Sequence, residues 1–222
     1  MSGDAIATPV IRRAADPDIP LLATIEKSAD QRFRDWPGLE WIATAGDAFP
    51  AGHLRDLVRT GLVLVADAGG RDGLVGFLAG EAREGGLHLW QIAVLSPWQG
   101  RGIGSRLLAG AGHFAISQGL SALTLTTFRS VPWNEPWYRG RGFATLAETE
   151  MPPHLRALLR EEGEGGLPVP LRCAMTLILT GADRLPSSIA RDPLAGSGVG
   201  PPASDGAHSS PVDPRHFDTE PV

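Results

Sequence analysis

A glycine-rich turn between an apolar strand and an amphipathic helix constrains the fold of this chain more than any other feature. The turn, QGRGIG at residues 99–104, follows a predicted strand at 87–95 and starts a helix that extends to about Gln118. Glycines let a ligand approach the backbone closely, and the free N–H groups of a first helical turn attract an anion. The pattern predicts a pyrophosphate-binding turn.

The glycine spacing and the preceding strands argue against a dinucleotide site. Gly100, Gly102 and Gly104 do not give the G-x-G-x-x-G spacing of such sites. Glycine-rich breaks join the predicted strands into an antiparallel meander, whereas a dinucleotide fold places its glycines after the first strand of a doubly wound sheet. NAD binding is therefore not expected.

The remaining apolar segments complete an α/β pattern. Because a strand, the glycine turn, a helix and another strand follow one another, we expect one parallel crossover within an otherwise antiparallel sheet. Strands are predicted at residues 8–13, 62–66, 74–82, 87–95, 120–127, 143–149 and 172–180. Helices are predicted at 17–29, at 49–59 and, as a short segment, at 133–139. The sequence thus predicts a mixed, mainly antiparallel sheet with flanking helices.

The chain divides into one predicted domain and a tail. Residues 1–180 contain all of the predicted strands and helices. Residues 181–222 are rich in Pro, Gly, Ser, Asp and His and show no hydrophobic periodicity, which is typical of a disordered segment. We therefore expect one domain and one active site.

Composition excludes several classes of protein. A net charge of −5 disfavours broad binding to nucleic acid, and no apolar run approaches the roughly 20 residues of a membrane span. The N-terminus lacks the pattern of a secretory signal, so a cytoplasmic protein is expected. A single cysteine, Cys173, cannot form an internal disulfide, and isolated histidines such as His208 and His216 do not indicate a metal site.

Two short segments resemble the GNAT acetyltransferases. Gln99, Gly102 and Gly104 occupy the positions of that superfamily's signature, which is Arg or Gln, two residues, Gly, one residue, then Gly or Ala. Tyr138, followed by Gly-Phe at 142–143, is similar to the family's Tyr-x-x-x-Gly-Phe segment. The resemblance implies acetyl-CoA as a co-substrate and a GNAT-like sheet in which the parallel strand pair splays apart.

The resemblance also implies where acetyl-CoA binds. The splay would leave backbone groups of residues 92–94 free to bond the pantetheine arm, and Arg101 and Ser105 would add contacts to the phosphates. Asn134 either reaches the same arm or caps the helix that follows. The predicted acetyl-CoA contacts are Ile92, Val94, Gln99, Gly100, Arg101, Gly102, Ile103, Gly104, Ser105 and Asn134.

The implied reaction is direct transfer of acetyl to a primary amine of a small molecule. Tyr138 is the candidate proton donor to the departing thiolate. Many GNAT enzymes have a glutamate that acts as the general base near the position of Gln91. An amide cannot act as a base, so His88, Glu26 and solvent remain as candidate bases. The aromatic side chains predicted to line the acceptor pocket are Phe33, Trp36 and Trp41.

Two other functions remain open. One is acetylation of a protein N-terminus or lysine, which requires an open groove for a peptide. The other is a non-catalytic module that binds acyl-CoA, which the amide at Gln91 favours and the tyrosine at Tyr138 disfavours. GNAT proteins are often dimers, so the resemblance allows a homodimer. The sequence does not fix the acceptor or the acyl length.

Overall fold

A computed structural model describes residues 8–45 and 49–179 of the chain. It contains a seven-stranded sheet in the order β1-β2-β3-β4-β5-β7-β6, in which only the β4–β5 pair is parallel. The strands are β1 (Val10–Arg13), β2 (Leu62–Asp67), β3 (Leu74–Arg83), β4 (Gly86–Val94), β5 (Ala122–Phe128), β6 (Ala144–Thr145) and β7 (Arg172–Ile178). The predicted α/β fold with a mixed, mainly antiparallel sheet is confirmed.

Five α-helices flank the sheet within the described residues. They are α1 (Ile19–Asp30), α2 (Ala51–Thr60), α3 (Ile103–Ser117), α4 (Glu135–Arg139) and α5 (Pro153–Glu164). The first four correspond to predicted helices, whereas α5 was not predicted. None of these helices is long and apolar enough to cross a membrane. The predicted tail at 181–222 lies outside the described residues.

The two faces of the sheet carry separate hydrophobic cores. On one face α3 packs against inward-facing residues of six strands, among them Leu64, Leu78 and Leu123, and this core also holds the ring of Tyr138. On the other face α1 and α2 cover Val65 and Phe77. Because side chains alternate along a strand, β2, β3 and β4 contribute to both cores.

The parallel pair β4–β5 is splayed. Its register runs from Leu87–Leu89 against Leu123–Leu125 and then stops, although β4 continues to Val94 and β5 to Phe128. The strands therefore separate on the side of the sheet at which α3 begins. The expectation of a splayed pair is confirmed.

A β-bulge in β4 changes the direction of the side chains that follow it. Ala79 pairs with Gln91 and Gly80 with Leu89, so Trp90 is an extra residue without a partner on β3. Leu89 belongs to the core under α3, whereas Trp90 packs against the core under α1 and Gln91 bonds to α1. The bulge thus aims two consecutive side chains at the α1 face.

Helix α5 lies between β6 and β7 and covers the same face as α1 and α2. Met151, Leu155 and Leu158 pack on Ala174 of β7, with Trp90 at the edge of this cluster. Polar contacts also fix the helix, because Arg172 of β7 donates to Glu162 at 2.7 Å and Thr126 of β5 donates to the same carboxylate. The predicted strand at 143–149 is correspondingly short, since the chain leaves the sheet after Thr145.

Candidate active site

The first turn of α3 has the geometry of an anion-binding site. Gly102 precedes the helix with a φ of 79° and Gly100 has a φ of 76°, in the left-handed region that favours glycine. A Cβ added at either residue would meet no heavy atom within 4 Å, so the surface above the turn is open. No side chain caps the helix. Its first N–H groups are therefore available to an anion such as a pyrophosphate.

A cationic side chain that was not predicted lies against this turn. Arg141 donates to the Ser105 hydroxyl from Nε at 3.1 Å and from Nη2 at 2.7 Å. Its guanidinium carbon lies 3.6 Å from the centroid of the Trp137 ring, and a Cβ added at Gly104 would lie 3.3 Å from Trp137 Cζ2. The sequence signal was the arginine directly before Gly142, within the segment that resembled the family pattern. Arg101, which was predicted, is exposed and stacks over the Trp98 ring.

The predicted free backbone of residues 92–94 is partly bonded within the protein. The Val94 carbonyl accepts a hydrogen bond from Gln99 Nε2 at 2.9 Å, and the Ile92 N–H donates to Gln91 Oε1 at 3.0 Å. The amide side chains take up these two groups because β5 has diverged from β4 at this level. Gln99 thereby ties the start of the glycine turn to the end of β4.

Asn134 lies at the N-cap position of α4, but its side chain makes no capping hydrogen bond. The capping alternative for Asn134 is therefore wrong. The side chain is half-buried, and its backbone N–H donates to Val131 and its carbonyl accepts from Tyr138. Its amide remains a candidate contact for a ligand between β4 and β5.

Glu26 and Gln91 form a hydrogen-bonded pair. Gln91 Nε2 donates to Glu26 Oε1 at 2.5 Å, and the Phe49 N–H donates to Glu26 Oε2 at 2.7 Å. The Glu26 side chain is buried in α1, and burial raises the pKa of its carboxyl above the ordinary value despite these bonds. The predicted base on the first helix therefore lies beside the strand position at which the family's glutamate was expected.

A second carboxyl lies one turn further along α1. Burial, together with the charge of Glu26, raises the pKa of Asp30 to about 7. Asp30 is half-buried and makes no hydrogen bond from its side chain to another described residue. The α1 side of the site therefore carries two carboxyls whose protons bind more tightly than usual.

His88 is enclosed in the sheet. It is only 1% exposed, and its Nδ1 lies 3.0 Å from the Thr124 hydroxyl on β5, directly across the parallel register. Burial lowers the pKa of His88 to about 3, so its imidazole is neutral at physiological pH. Its Nε2 is buried without a partner among the described residues. This environment makes His88 a much weaker base than Glu26.

Tyr138 lies on α4, on the α3 side of the splayed strands. Its ring packs edge-on against Trp137 at 4.9 Å and Phe143 at 5.4 Å between centroids. Burial raises the pKa of its phenol, so the hydroxyl keeps its proton at physiological pH. A neutral phenol can donate a proton.

Aromatic side chains join the two sides of the splay. Phe33, after α1, packs edge-on against Phe128 at the end of β5 and against Trp133, and Trp36 also packs against Trp133. These contacts connect the segment after α1 to the end of β5, on the side where β4 and β5 have separated. Trp41, which was predicted to line the same pocket, is 45% exposed and belongs to no buried cluster of the described residues.

Solved structures with the same fold include acetyltransferases. The PaiA N-acetyltransferase from Thermoplasma acidophilum, crystallised with coenzyme A, matches with a TM-score of 0.58 and 15% identity, covering 78% of this chain and 100% of that one. Ard1 from Thermoplasma volcanium matches with a TM-score of 0.56 and 17% identity over 79% and 100%. The ribosomal-protein-S18-alanine N-acetyltransferase from Escherichia coli matches with a TM-score of 0.53 and 15% identity over 78% and 96%.

A family model gives the same result from the sequence. The model described as the acetyltransferase (GNAT) family matches residues 30–143, about half of the chain, and this range includes both the glycine turn and Tyr138. The match supports an acyltransferase activity. The chain belongs to the acetyltransferase (GNAT) family.

Proposed function

We propose that this chain transfers acetyl from acetyl-CoA to a primary amine of a small molecule by direct attack. The observation that carries the proposal is the splay of β4 from β5 immediately before the uncapped N-terminus of α3. An opening in the sheet admits a narrow thioester arm, and the helix terminus attracts the phosphates at the other end of the same molecule. PaiA, which shares the fold, was crystallised with coenzyme A.

The co-substrate contacts follow from this placement. First-turn N–H groups of α3 bind the pyrophosphate, and Gly100 and Gly102 keep the approach open. The Asn134 amide, which caps no helix, binds the pantetheine arm. The arm enters beside Ile92 and Val94, which pack against the α3-side core. The proposed catalytic domain is the segment 1–180, and residues 181–222 are not required for activity.

Glu26 is the proposed base that receives the ammonium proton, directly or through water. Its pKa is raised towards the working pH, which is the property a base requires. His88 has the opposite property, because its pKa of about 3 leaves it unable to hold a proton at neutral pH. We assign His88 a structural role through its bond to Thr124.

Gln91 positions the proposed base. Its amide bridges Glu26 and the Ile92 N–H, so it fixes the carboxylate relative to the backbone of β4 at the splay. The bulge at Trp90 makes this possible by aiming Gln91 at α1. The absence of a glutamate on β4 therefore does not favour a non-catalytic protein, because a carboxylate reaches the same place from α1.

Tyr138 is the proposed proton donor to the thiolate of CoA. Its ring lies in the α3-side core, which also contains Ile103 of α3 and Leu125 of β5, and the phenol retains its proton because burial raises its pKa. Direct attack needs no covalent enzyme intermediate when both substrates are bound together. Base and acid then lie on opposite faces of the splayed sheet.

A small acceptor is favoured by the cover over the opening. We infer that the contacts of Phe33 and Trp36 with Trp133, beside the splayed end of β5, cover the upper side of the opening. Helix α5 closes the α1 side near β5, where Glu162 bonds to both Arg172 and Thr126. A peptide backbone requires an open groove, so this cover supports a small amine over the protein acceptors named for some proteins that share the fold, such as the Escherichia coli ribosomal-protein acetyltransferase.

The proposal is tested by incubating the purified full-length chain with labelled acetyl-CoA and two panels, one of small amines and one of peptides with free N-termini or lysines. Label on a small amine, with release of free CoA, is the expected result. Label transferred only to peptides would favour the protein acetyltransferase. Tight acetyl-CoA binding without transfer to either panel would favour the non-catalytic module.

A further inference from the structure

Arg141 connects the turn after α4 to the first turn of α3. Two of its nitrogens donate to the Ser105 hydroxyl, at 3.1 and 2.7 Å, and Nη1 donates to the Trp137 carbonyl at 2.9 Å. Its guanidinium carbon also lies over the Trp137 ring, 3.6 Å from the centroid. These contacts hold one orientation of a planar cation beside the helix N-terminus.

The charge of Arg141 is not balanced by an acid. Among the described residues, no carboxylate lies within ion-pair distance of its guanidinium, and burial lowers its pKa. Arg172 is also held within the protein, but it pairs with Glu162 at 2.7 Å. A half-buried guanidinium that bonds only neutral groups is stabilised by a bound anion.

Gly104 allows this arrangement. A Cβ at Gly104 would lie 3.3 Å from Trp137 Cζ2, which is tighter than ordinary contact. A larger residue would therefore displace Trp137, and with it the surface on which Arg141 rests. Because Gly104 has no side chain, Trp137 and the Arg141 guanidinium on it can lie close to the start of α3.

We propose that Arg141 is a phosphate-binding residue of the co-substrate site, which supplies the full positive charge that the N–H groups of α3 lack. This inference rests on the proposed function, because the anion is a phosphate group of CoA. Arg141 reaches the same end of α3 as the pyrophosphate, and the 3′-phosphate has the same chemistry. The Ser105 hydroxyl accepts from Arg141 and so directs the guanidinium towards that end.

The test measures CoA binding by calorimetry at low salt for the full chain and three variants. Arg141→Gln removes the charge, Arg141→Lys keeps the charge without the planar fork, and Arg55→Gln removes an exposed arginine from α2 as a matched control. Each protein is titrated with CoA, with 3′-dephospho-CoA and with pantetheine, which lacks phosphate. Thermal unfolding of each variant is measured alongside.

A charged hydrogen bond to phosphate contributes enough that Arg141→Gln should weaken CoA binding by about 10- to 100-fold. Arg141→Lys should lose less, Arg55→Gln should bind as the unchanged chain does, and pantetheine binding should not respond to any variant. A loss that persists with 3′-dephospho-CoA assigns the contact to the pyrophosphate, and a loss that disappears assigns it to the 3′-phosphate.

Two outcomes separate the inference from the function on which it rests. Equal CoA affinity of the unchanged chain and a folded Arg141→Gln variant would overturn the role of Arg141 and leave the proposed function intact. Failure of the unchanged chain to bind CoA would overturn both. If Arg141→Gln does not fold, Arg141→Met takes its place, because it removes the charge and keeps an unbranched side chain against Trp137, and CoA affinity equal to that of the unchanged chain would overturn the role of Arg141.

Discussion

The Gln91 side chain donates a hydrogen bond of 2.5 Å to the Glu26 carboxylate, across the boundary between β4 and α1. The second oxygen of Glu26 accepts from Phe49, and the oxygen of Gln91 accepts from Ile92. Every polar atom of this pair therefore has a defined partner. A glutamine amide and a glutamate carboxylate have the same shape. The two residue types can therefore be exchanged between positions 26 and 91 without a change in the hydrogen-bond geometry.

Exchange of the two groups tests the assignment of the base. Glu26→Gln should reduce turnover by about 10²-fold or more, because a positioned general base contributes that much, and it should remove the rise of activity with pH that ionisation of Glu26 produces. The double variant Glu26→Gln with Gln91→Glu should recover part of the loss, since the carboxylate then acts from β4. Steady-state kinetics across pH measure both effects.

The control for this exchange is Glu148→Gln, which removes an exposed carboxylate elsewhere. Its turnover should equal that of the unchanged chain. Full activity of Glu26→Gln, under conditions in which the chemical step is limiting, would remove Glu26 from the mechanism and leave solvent as the base.

Substitution of Tyr138 by phenylalanine should separate binding from chemistry. Tyr138→Phe keeps the ring contacts with Trp137 and Phe143 and removes only the hydroxyl, so stability and CoA affinity should change little. Turnover should fall by about 10²-fold if the phenol protonates the thiolate, and less where water takes its place. Calorimetry and rate measurements on the same protein give the comparison, and an unchanged rate at all pH values would exclude Tyr138.

A carboxylate placed in the glycine turn should abolish co-substrate binding. Aspartate tolerates the left-handed φ of 79° at Gly102 better than most residues, and space for its Cβ exists, so Gly102→Asp should fold. Its negative charge then repels the pyrophosphate at the start of α3. Calorimetric titration with acetyl-CoA measures the loss, and retained affinity would place the phosphates elsewhere.

Asp30 should make the folded chain less stable as pH rises. Its pKa is about 7 in the folded chain and near 3.8 when unfolded, so folding favours the protonated carboxyl. The cost of its charge is absent below about pH 4, grows as pH rises towards 7 and is complete above that value.

Asp30→Asn removes that cost. We expect the variant to gain about 1 to 2 kcal/mol in free energy of unfolding at pH 8, a figure reduced because solvent screens a half-buried group, and almost nothing at pH 4. Denaturant titrations at the two pH values measure the difference. Asp56→Asn on the exposed side of α2 serves as the control, and an equal gain at both pH values would contradict the prediction.

The sequence predicted the elements whose signal is local. Alternating apolar residues with glycine-rich breaks predicted the meander of β2, β3 and β4, and periodic apolar residues predicted α3. The splay followed from the resemblance to a family, since spacing along the chain does not define where two parallel strands separate. The glycine turn was predicted because an anion site at a helix start needs an unobstructed backbone, and closely spaced glycines in the sequence indicate one.

The elements that were not predicted depend on contacts between distant segments. The apolar residues of α5 at 155, 158 and 159 have helical spacing after Pro153, but no element was predicted between the strands at 143–149 and 172–180. Arg141 was not singled out because its relation to Ser105 exists only after α3 and α4 pack together. The bulge at Trp90 depends on how β3 pairs with β4. The alternation of side chains along β4 alone does not predict that pairing.

The position of α5 has a consequence for how such proteins diversify. The segment that contains α5 follows β6 and precedes β7, and the strand residues on its two sides, Thr145 and Arg172, are paired within the sheet. Under the proposed function, an exchange of the intervening residues for a segment of another length would reshape the acceptor side while the glycine turn, Tyr138 and Arg141 stay in place. One exchangeable insert would then change the acceptor without altering the residues proposed to bind the acyl donor.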